Sequence, residues 1–500
     1  MAVIFGVCFA SSIFLLVVWR ILSSKLNCLP PGPCGLPLIG HLHMLRGMPP
    51  YKALESLSRK YGPIMSLRLG MIPAVVISSK DLAREFFNAH DANFSNRPYM
   101  IIGDPRYGFV SLATSPYIGR HWKNISKLYT RMLFTAKCID SFSWVRSDEL
   151  SHVLDFVLKS SDRSIAVDVR VLSSTFLFNI MSRILMSKRY FGHGGAPDSG
   201  VDEDAVEFKQ VTQEVMSLIL KPCVSNFVPS YLRWLDWQIP RYKQVRAKQD
   251  KFMQKVVDEH KKTTRESKDL VDMALESFRG DAQAELYTKA SLLETLLGGT
   301  ETTGVTCEWI MAAVMHNPQV LTNLQEELQR VVGSTRMARE SDISKLEYLQ
   351  AVIKETFRRY PPATLLMPRT AHKATTIGGY HIPKGTTLLV NSWAIGMDPA
   401  VWEDPTQFLP DRFLGIPIDI KGHDFELIPF GSGRRKCPGM ALGLRAVELL
   451  VANLIHGFHW SFVPGMTLSM EDECHSVSQL KIPLQAIAVP RLPKEVYANI

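Results

Sequence analysis

Pro429-Phe430-Gly431-Ser432-Gly433-Arg434-Arg435-Lys436-Cys437-Pro438-Gly439 is the stretch on which the reading of this chain turns. Two glycines in a tight loop, Gly431 and Gly433, let the backbone approach a flat cofactor and present amide groups to a ligand sulfur. Amide donors and neighbouring cations favour the thiolate of Cys437 over its thiol. A thiolate on iron pushes electron density onto the metal and favours O–O cleavage. The competing reading is a surface turn with an incidental buried cysteine, which has to produce the whole spacing by accident.

Phe430-x-x-Gly433-x-Arg435-x-Cys437-x-Gly439 resembles the haem-binding signature of the cytochromes P-450. The resemblance implies haem b with Cys437 as the axial iron ligand, Phe430, Gly431 and Gly439 lining the ring, and Arg435 forked onto a propionate. The family's other motifs follow in the expected order. Glu355 and Arg358 are spaced i, i+3, which puts both on one helical face. Exposed, such a pair contributes only tenths of a kcal/mol. The resemblance instead implies a buried structural network that they form with Arg412 of Phe408-Leu409-Pro410-Asp411-Arg412-Phe413.

Gly298-Gly299-Thr300-Glu301-Thr302-Thr303 sits in a long apolar helical stretch ending before Pro318. Glycines in a helix interior cost about 1 kcal/mol each relative to alanine. Either close helix packing requires them, or, by the resemblance, the helix opens locally beside bound oxygen. Glu301 and Thr302 then match an acid–alcohol pair that guides protons to dioxygen in a largely dry pocket. His121-Trp122 opens what resembles the C helix, with Trp122 donating its indole N–H to a propionate. The chain departs from the pattern here: the basic residue usual four positions on is Ser126, followed by Lys127. Lys127, or Arg369 of Met367-Pro368-Arg369, is left to carry that charge.

The rest of the chain frames this site. Its 500 residues are 46% hydrophobic and 21% charged, the composition of a globular protein. A formal charge of +9 suits an acidic protein partner or an anionic membrane. Nucleic acid is excluded as a partner, because basic residues lie among acidic ones and no nucleic-acid motif is present. The eight cysteines (Cys8, Cys28, Cys34, Cys138, Cys223, Cys307, Cys437 and Cys474) form no CxxC pair and no disulfide framework. Ala2 to Trp19 is an uncharged apolar run of roughly 27 Å at helical rise, enough to cross a bilayer core. Arg20 and Lys25 follow it, which places the remaining chain in the cytosol. Leu29-Pro30-Pro31-Gly32-Pro33 begins a stiff spacer, since prolines cannot continue a helix. The expected division is an anchor over 1–25, a proline-rich hinge over 26–40 and a haem-thiolate catalytic domain over 41–500.

Within that domain, Tyr51–Arg59 reads as a helix, and Ile64–Leu69 and Ala74–Ile77 as strands around a Gly70 turn. Ser78 and Asp81 read as a capping-box start for a helix over Asp81–Ala89. Beyond about residue 120, helical periodicity dominates. Arg241–Leu270 reads as a charged helical surface with a loop, and His193–Asp198 as a surface loop. Strand signals return at Thr375–Ile382 and Thr386–Val390. The fold expected is mainly α with a small β region, the cytochrome P-450 fold, preceded by a transmembrane helix.

The resemblance is strongest to plant microsomal A-type enzymes, through the proline hinge and Trp393-x-x-x-x-Asp398-Pro399-x-x-Trp402-Glu403. Asn93-Phe94-Ser95-Asn96-Arg97-Pro98 and Pro490-Arg491-Leu492-Pro493 are similar to segments of flavonoid and phenylpropanoid hydroxylases. It implies a single-pass protein of the endoplasmic reticulum membrane. That protein inserts one oxygen atom from O2 into a small apolar, aromatic plant metabolite of secondary metabolism. Electrons come from NADPH through an NADPH–cytochrome P-450 reductase docked near Arg434, Arg435 and Lys436. The alternatives are an amino-acid-derived or terpenoid substrate, an electron-independent isomerase or dehydratase, and a non-catalytic haem sensor or carrier. Glu301 and Thr302 weigh against the isomerase, which needs no proton delivery to dioxygen.

Overall fold

In a computed structural model of the chain, the described residues are 29–100, 112–117, 120–192, 206, 210, 214, 223–263, 268–474 and 477–498. The expected anchor and the His193–Asp198 loop lie outside them. Nine helices of twelve residues or more lie among the described residues. They are α1 (Pro50–Tyr61), α2 (Arg120–Met132), α3 (Ser143–Asp162), α4 (Val169–Met186), α5 (Ile239–Lys262), α6 (Ala284–His316), α7 (Pro318–Val332), α8 (Glu347–Arg359) and α9 (Met440–Gly457).

The β region is small, as expected. Strands β1 (Ile64–Leu69), β2 (Ile72–Ile77), β4 (Arg369–Thr370) and β7 (Thr387–Val390) form one sheet in the order β1-β2-β7-β4, with β3 at Val167–Asp168 belonging to another. The β2–β7 pairing is parallel and the other two are antiparallel. Alternation along β1 sends Met65 and Leu67 against Leu54 of α1. Thr375–Ile382 resolves into a hairpin of β5 (Thr375–Ile377) and β6 (Tyr380–Ile382), turned by Gly378 and Gly379 at φ +58° and +81°. Only a primed turn closes a two-residue hairpin this tightly, and it needs those positive φ values. Four strands complete the set: β8 (Phe458–Phe462), β9 (Asp472–Cys474), β10 (Ser478–Leu480) and β11 (Gln485–Pro490).

One expected cap moves by a residue. Ser79, not Ser78, accepts the Leu82 N–H at 3.4 Å and starts a helix at Lys80. Ser79 has the extended backbone a cap requires (φ −126°, ψ 153°). The helix then widens into a π turn over Phe86–His90, within the span Asp81–Ala89 read as helical. That turn delivers Asp91 to the cysteine loop.

Helix α6 is the axis of the body. From Thr303 to Met315 it is buried on every side, the mark of a central helix. Its two glycines have separate reasons. A Cβ at Gly299 would lie 3.0 Å from Met181 of α4, so close packing applies there, as it does at Gly304 against Ser174. Among the described residues, nothing lies within 4 Å of the Cβ position of Gly298. Further on, Trp309 stacks on Tyr360 with centroids 4.4 Å apart and donates its N–H to the Ser478 carbonyl at 2.9 Å. Helices α4 and α9 are long and apolar enough to cross a membrane, but most of each is buried inside the body, where they serve as core.

Candidate active site

The Cys437 loop is shaped by its glycines. Gly431 and Gly433 adopt φ of +68° and +70°, a region closed to most side chains. The loop closes where the Cys437 N–H donates to the Phe430 carbonyl at 3.0 Å. Phe430 packs edge-on against Phe357 of α8, centroids 5.1 Å apart, which fixes one wall. After Cys437 the chain turns directly into α9. Gly439 and Met440 amides at the start of that helix donate to the sulfur and, with Lys436, lower the thiol pKa. Burial outweighs them and pushes it up.

Helix α6 crosses this region. A Cβ at Gly443, one turn into α9, would stand 3.4 Å from the Thr303 hydroxyl, which brings the Glu301–Thr302 segment beside the cysteine end of α9. Both residues are partly buried. The Thr302 hydroxyl donates to the Gly298 carbonyl at 2.7 Å. The helix runs on without a break, so the expected opening is absent as an interruption; a back-bonding threonine can bend a helix without breaking it.

Three further residues meet on the other side. Glu355 and Arg358 have fully buried side chains and form a two-point pair at 2.6 and 2.7 Å. Arg358 also donates to the carbonyls of Gly396, Pro405 and Gln407, and Glu355 accepts the Leu409 N–H at 2.8 Å. Arg412 reaches Glu355 at 3.3 Å. A buried pair with every remaining bond made avoids the desolvation penalty of an isolated one.

The sequence reading missed the residues that join these parts. Asp91 is buried and accepts from Arg369 at 2.5 Å, from the Arg434 amide at 3.0 Å and from the Arg434 guanidinium at 3.1 Å. A Cβ at Gly433 would collide with this carboxylate. Glu294 of α6 accepts the Leu112 and Ala113 amides at 2.7 and 2.6 Å. Arg97 donates to Ala113, Met367 and Pro368 carbonyls. Arg435 turns inward and donates to the carbonyls of Ser95, Leu112 and Ser115, while its guanidinium lies 5.1 Å from the Trp122 ring. The Asn93–Pro98 segment, noted in the sequence only for a resemblance, is thus the strap between the sheet and the cysteine loop.

A model of the cytochrome P450 family matches residues 30–488. The chain belongs to the cytochrome P450 family. Among curated relatives, a flavonoid 3'-monooxygenase of Crocosmia x crocosmiiflora is 37% identical over 97% of both chains. A flavonoid 3'-monooxygenase of Petunia hybrida is 37% identical over 94% of this chain and 93% of its own. Trimethyltridecatetraene synthase of Zea mays is 38% identical over 96% and 91%. A solved structure described as zebra fish cytochrome P450 with abiraterone superposes with a TM-score of 0.73 at 27% identity, covering 89% of this chain and all of that one.

P450s carry haem b, and the residues of this P450 fit it. The buried Trp122 N–H has no hydrogen-bond partner among the described residues, a donor suited to a cofactor acceptor. Arg435 lies over its ring at 5.1 Å, and Arg97, Arg369, Asp91 and Glu294 lie within the electrostatic reach of Arg435 or of one another. Burial and mutual repulsion push Arg97 down to about 9 and Arg435 down to about 10. A cationic cluster under that strain matches an anionic edge such as a pair of propionates. Lys127 is exposed on the outer face of α2.

Proposed function

We propose that this P450 hydroxylates an aromatic phenylpropanoid or flavonoid, with electrons from NADPH delivered by a flavoprotein reductase. The observation that carries the reading is the Cys437 sulfur at the head of α9, accepting from the Gly439 and Met440 amides, with Thr303 of α6 against Gly443 one turn further on. The relatives supply the substrate class, since flavonoid 3'-monooxygenases align with this chain from end to end. When bound, haem supplies the reductive activation of dioxygen and the insertion of one oxygen atom into a C–H bond.

The chain's own residues have these roles in the reading. Cys437, whose sulfur accepts from the Gly439 and Met440 amides, would hold the iron. Phe430, Gly431 and Gly439 would give the flat cofactor a close, apolar seat, and Trp122 with Arg435 would hold its anionic edge. Glu355, Arg358 and Arg412 brace the cysteine side without doing chemistry. The Thr302 hydroxyl, anchored on the Gly298 carbonyl, would hold a proton on the α6 side of the site, with Glu301 as its source. Gly298 leaves room for substrate and oxygen because it adds no side chain there. Exposed Arg434 and partly buried Lys436 offer the positive face for an acidic reductase; Arg435, turned inward, does not. The Ala2–Trp19 run anchors the body in the endoplasmic reticulum membrane with its catalytic part in the cytosol.

A second reading has its own support. The maize synthase of an acyclic polyene matches this chain as closely as the flavonoid enzymes do, which favours a terpenoid substrate. One assay separates the two: the chain in microsomes with a plant reductase, offered flavanones, hydroxycinnamoyl esters, aromatic amino acids and acyclic terpenoids, with and without NADPH. An NADPH-dependent flavanone or hydroxycinnamoyl product one oxygen heavier supports the first reading. Turnover confined to terpenoids replaces it with the second, and turnover without NADPH overturns both.

A further inference from the structure

The network that braces the cysteine side carries one positive charge in excess. Glu355 is its single carboxylate among the described residues, and two guanidiniums, Arg358 and Arg412, share it. Arg358 takes the larger part. It spans both carboxylate oxygens at 2.6 and 2.7 Å, and its remaining N–H groups go to the Gly396, Pro405 and Gln407 carbonyls. Arg412 has only its Nε on Glu355, at 3.3 Å, and its Nη1 on the Glu403 carbonyl, at 3.0 Å. A carbonyl orients a guanidinium without neutralising it. Glu403 and Asp411, the acidic neighbours in sequence, are exposed, and among the described residues Glu355 is the one carboxylate that pairs with Arg412.

Two donors are left over in the same place. The Arg412 Nη2 group is shielded from solvent and has no hydrogen-bond partner, and the same holds for the indole N–H of Trp402. Trp402 is only 5% exposed. The two residues stand side by side. The Arg412 guanidinium bonds the carbonyl of the residue after Trp402, and the ring of Phe413 lies against that of Trp402 with centroids 5.5 Å apart. The Arg358 guanidinium also lies 5.5 Å from the centre of the Trp402 ring. A buried donor without an acceptor is costly, and a buried charge without a counter-charge more so. A water molecule answers the first need but not the second. A monovalent anion answers both.

We propose that a small monovalent anion, chloride in the cell, binds between the Arg412 Nη2 group and the Trp402 indole N–H and brings the Glu355–Arg358–Arg412 network to neutrality. Its role is structural. It ties the turn Pro410–Phe413 to α8, the helix that sets Phe357 against Phe430 of the cysteine loop.

The test uses the purified full-length holoenzyme and its Trp402→Phe variant, in chloride, bromide or gluconate at one fixed ionic strength. Thermal midpoints are read by circular dichroism. Wild type is expected to unfold about 2 °C higher in saturating chloride or bromide than in gluconate, along a single-site saturation curve. Trp402→Phe keeps the ring packing but not the N–H, so its response should need about tenfold more anion. Equal wild-type midpoints in gluconate and chloride overturn the proposal, because a neutral occupant such as water then suffices. An equal response of the two proteins also overturns it, since the anions then act elsewhere on a chain of charge +9. Should Trp402→Phe not fold, diffraction from bromide-soaked wild-type crystals decides. An anomalous peak within hydrogen-bond distance of Arg412 Nη2 and Trp402 Nε1 supports the site, and a map without one overturns it.

Discussion

Asp91 meets Arg369 at 2.5 Å directly against the backbone of Gly433, so the end of an N-terminal helix and the cysteine loop share one buried ion pair. Their contact spans 278 residues of chain. The same carboxylate holds the Arg434 amide, and the loop that carries Cys437 is thereby fixed from outside as well as by its own turn. Asp91→Ala leaves Arg369 buried and uncompensated, a loss of about 3–5 kcal/mol. Thermal unfolding followed by circular dichroism checks it; a melting temperature unchanged from wild type contradicts the role given to Asp91.

Gly433 is constrained twice, by its φ of +70° and by the carboxylate where a Cβ would sit. Gly433→Ala is expected to cost about 1–2 kcal/mol in backbone strain alone, and to push Asp91 off Arg434. By contrast, Gly439→Ala meets only Phe134 at 3.7 Å and has no positive φ. Parallel melts of the two variants should rank Gly433→Ala clearly lower. Equal losses would show that Asp91 yields freely.

Glu355→Ala strips Arg358 of its only carboxylate among the described residues, in a fully buried place, and orphans the Leu409 N–H. The expected cost is about 3–5 kcal/mol, a large share of a domain's stability. Soluble, haem-loaded protein should fall severely in expression trials. Glu355→Gln keeps the shape but not the charge and is expected to fall between. Normal yields of the alanine variant would refute the network's importance.

Glu448 gives stability a pH dependence. Burial pushes its carboxyl up to about 7, with Glu340 adding to the rise and Arg445 opposing it. Because the folded value lies above the unfolded one, the folded state binds the proton more tightly. Its contribution is complete below about pH 4.5 and is lost as pH rises through about 7, amounting to at most about 3 kcal/mol. Melting temperatures of wild type and Glu448→Gln, recorded from pH 5 to 8, should diverge, with the wild type losing more on the alkaline side. Parallel curves would exclude this carboxyl as the source.

Thr302→Ala removes the hydroxyl that rests on the Gly298 carbonyl. Product formation should fall on the order of 10²-fold, while NADPH oxidation continues and releases peroxide. Thr302→Ser should keep most of the activity. A proportional fall in NADPH oxidation and product would place the defect in electron supply and not in proton delivery.

Much of this molecule was legible before any coordinates. The cysteine loop declared itself because its residues are contiguous, and α6 and α8 because apolar period and motif coincide. Thr375–Ile382 was read as one strand, and the turn at Gly378-Gly379 that splits it into β5 and β6 was passed over. Asp91, Arg97 and Glu294 were not legible as site residues. A single acidic or basic residue has no periodicity, and the partners of Asp91 lie 278 and 343 positions away. The carbonyl acceptors of Arg435 were hidden for the same reason: they are backbone groups, which every residue has. The cap moved from Ser78 to Ser79 because two adjacent serines offer the same chemistry and only the backbone angles choose between them.

The ferrous–carbonyl difference spectrum of wild type against Cys437→His tests the central claim most directly. If the Cys437 sulfur at the head of α9 ligates the iron, the wild type shows the long-wavelength band for which P450s are named, and the histidine variant shifts to the shorter-wavelength band of an imidazole-ligated haem. A histidine variant that keeps the long-wavelength band would mean that another residue holds the iron, and the site described around Cys437 would be wrong.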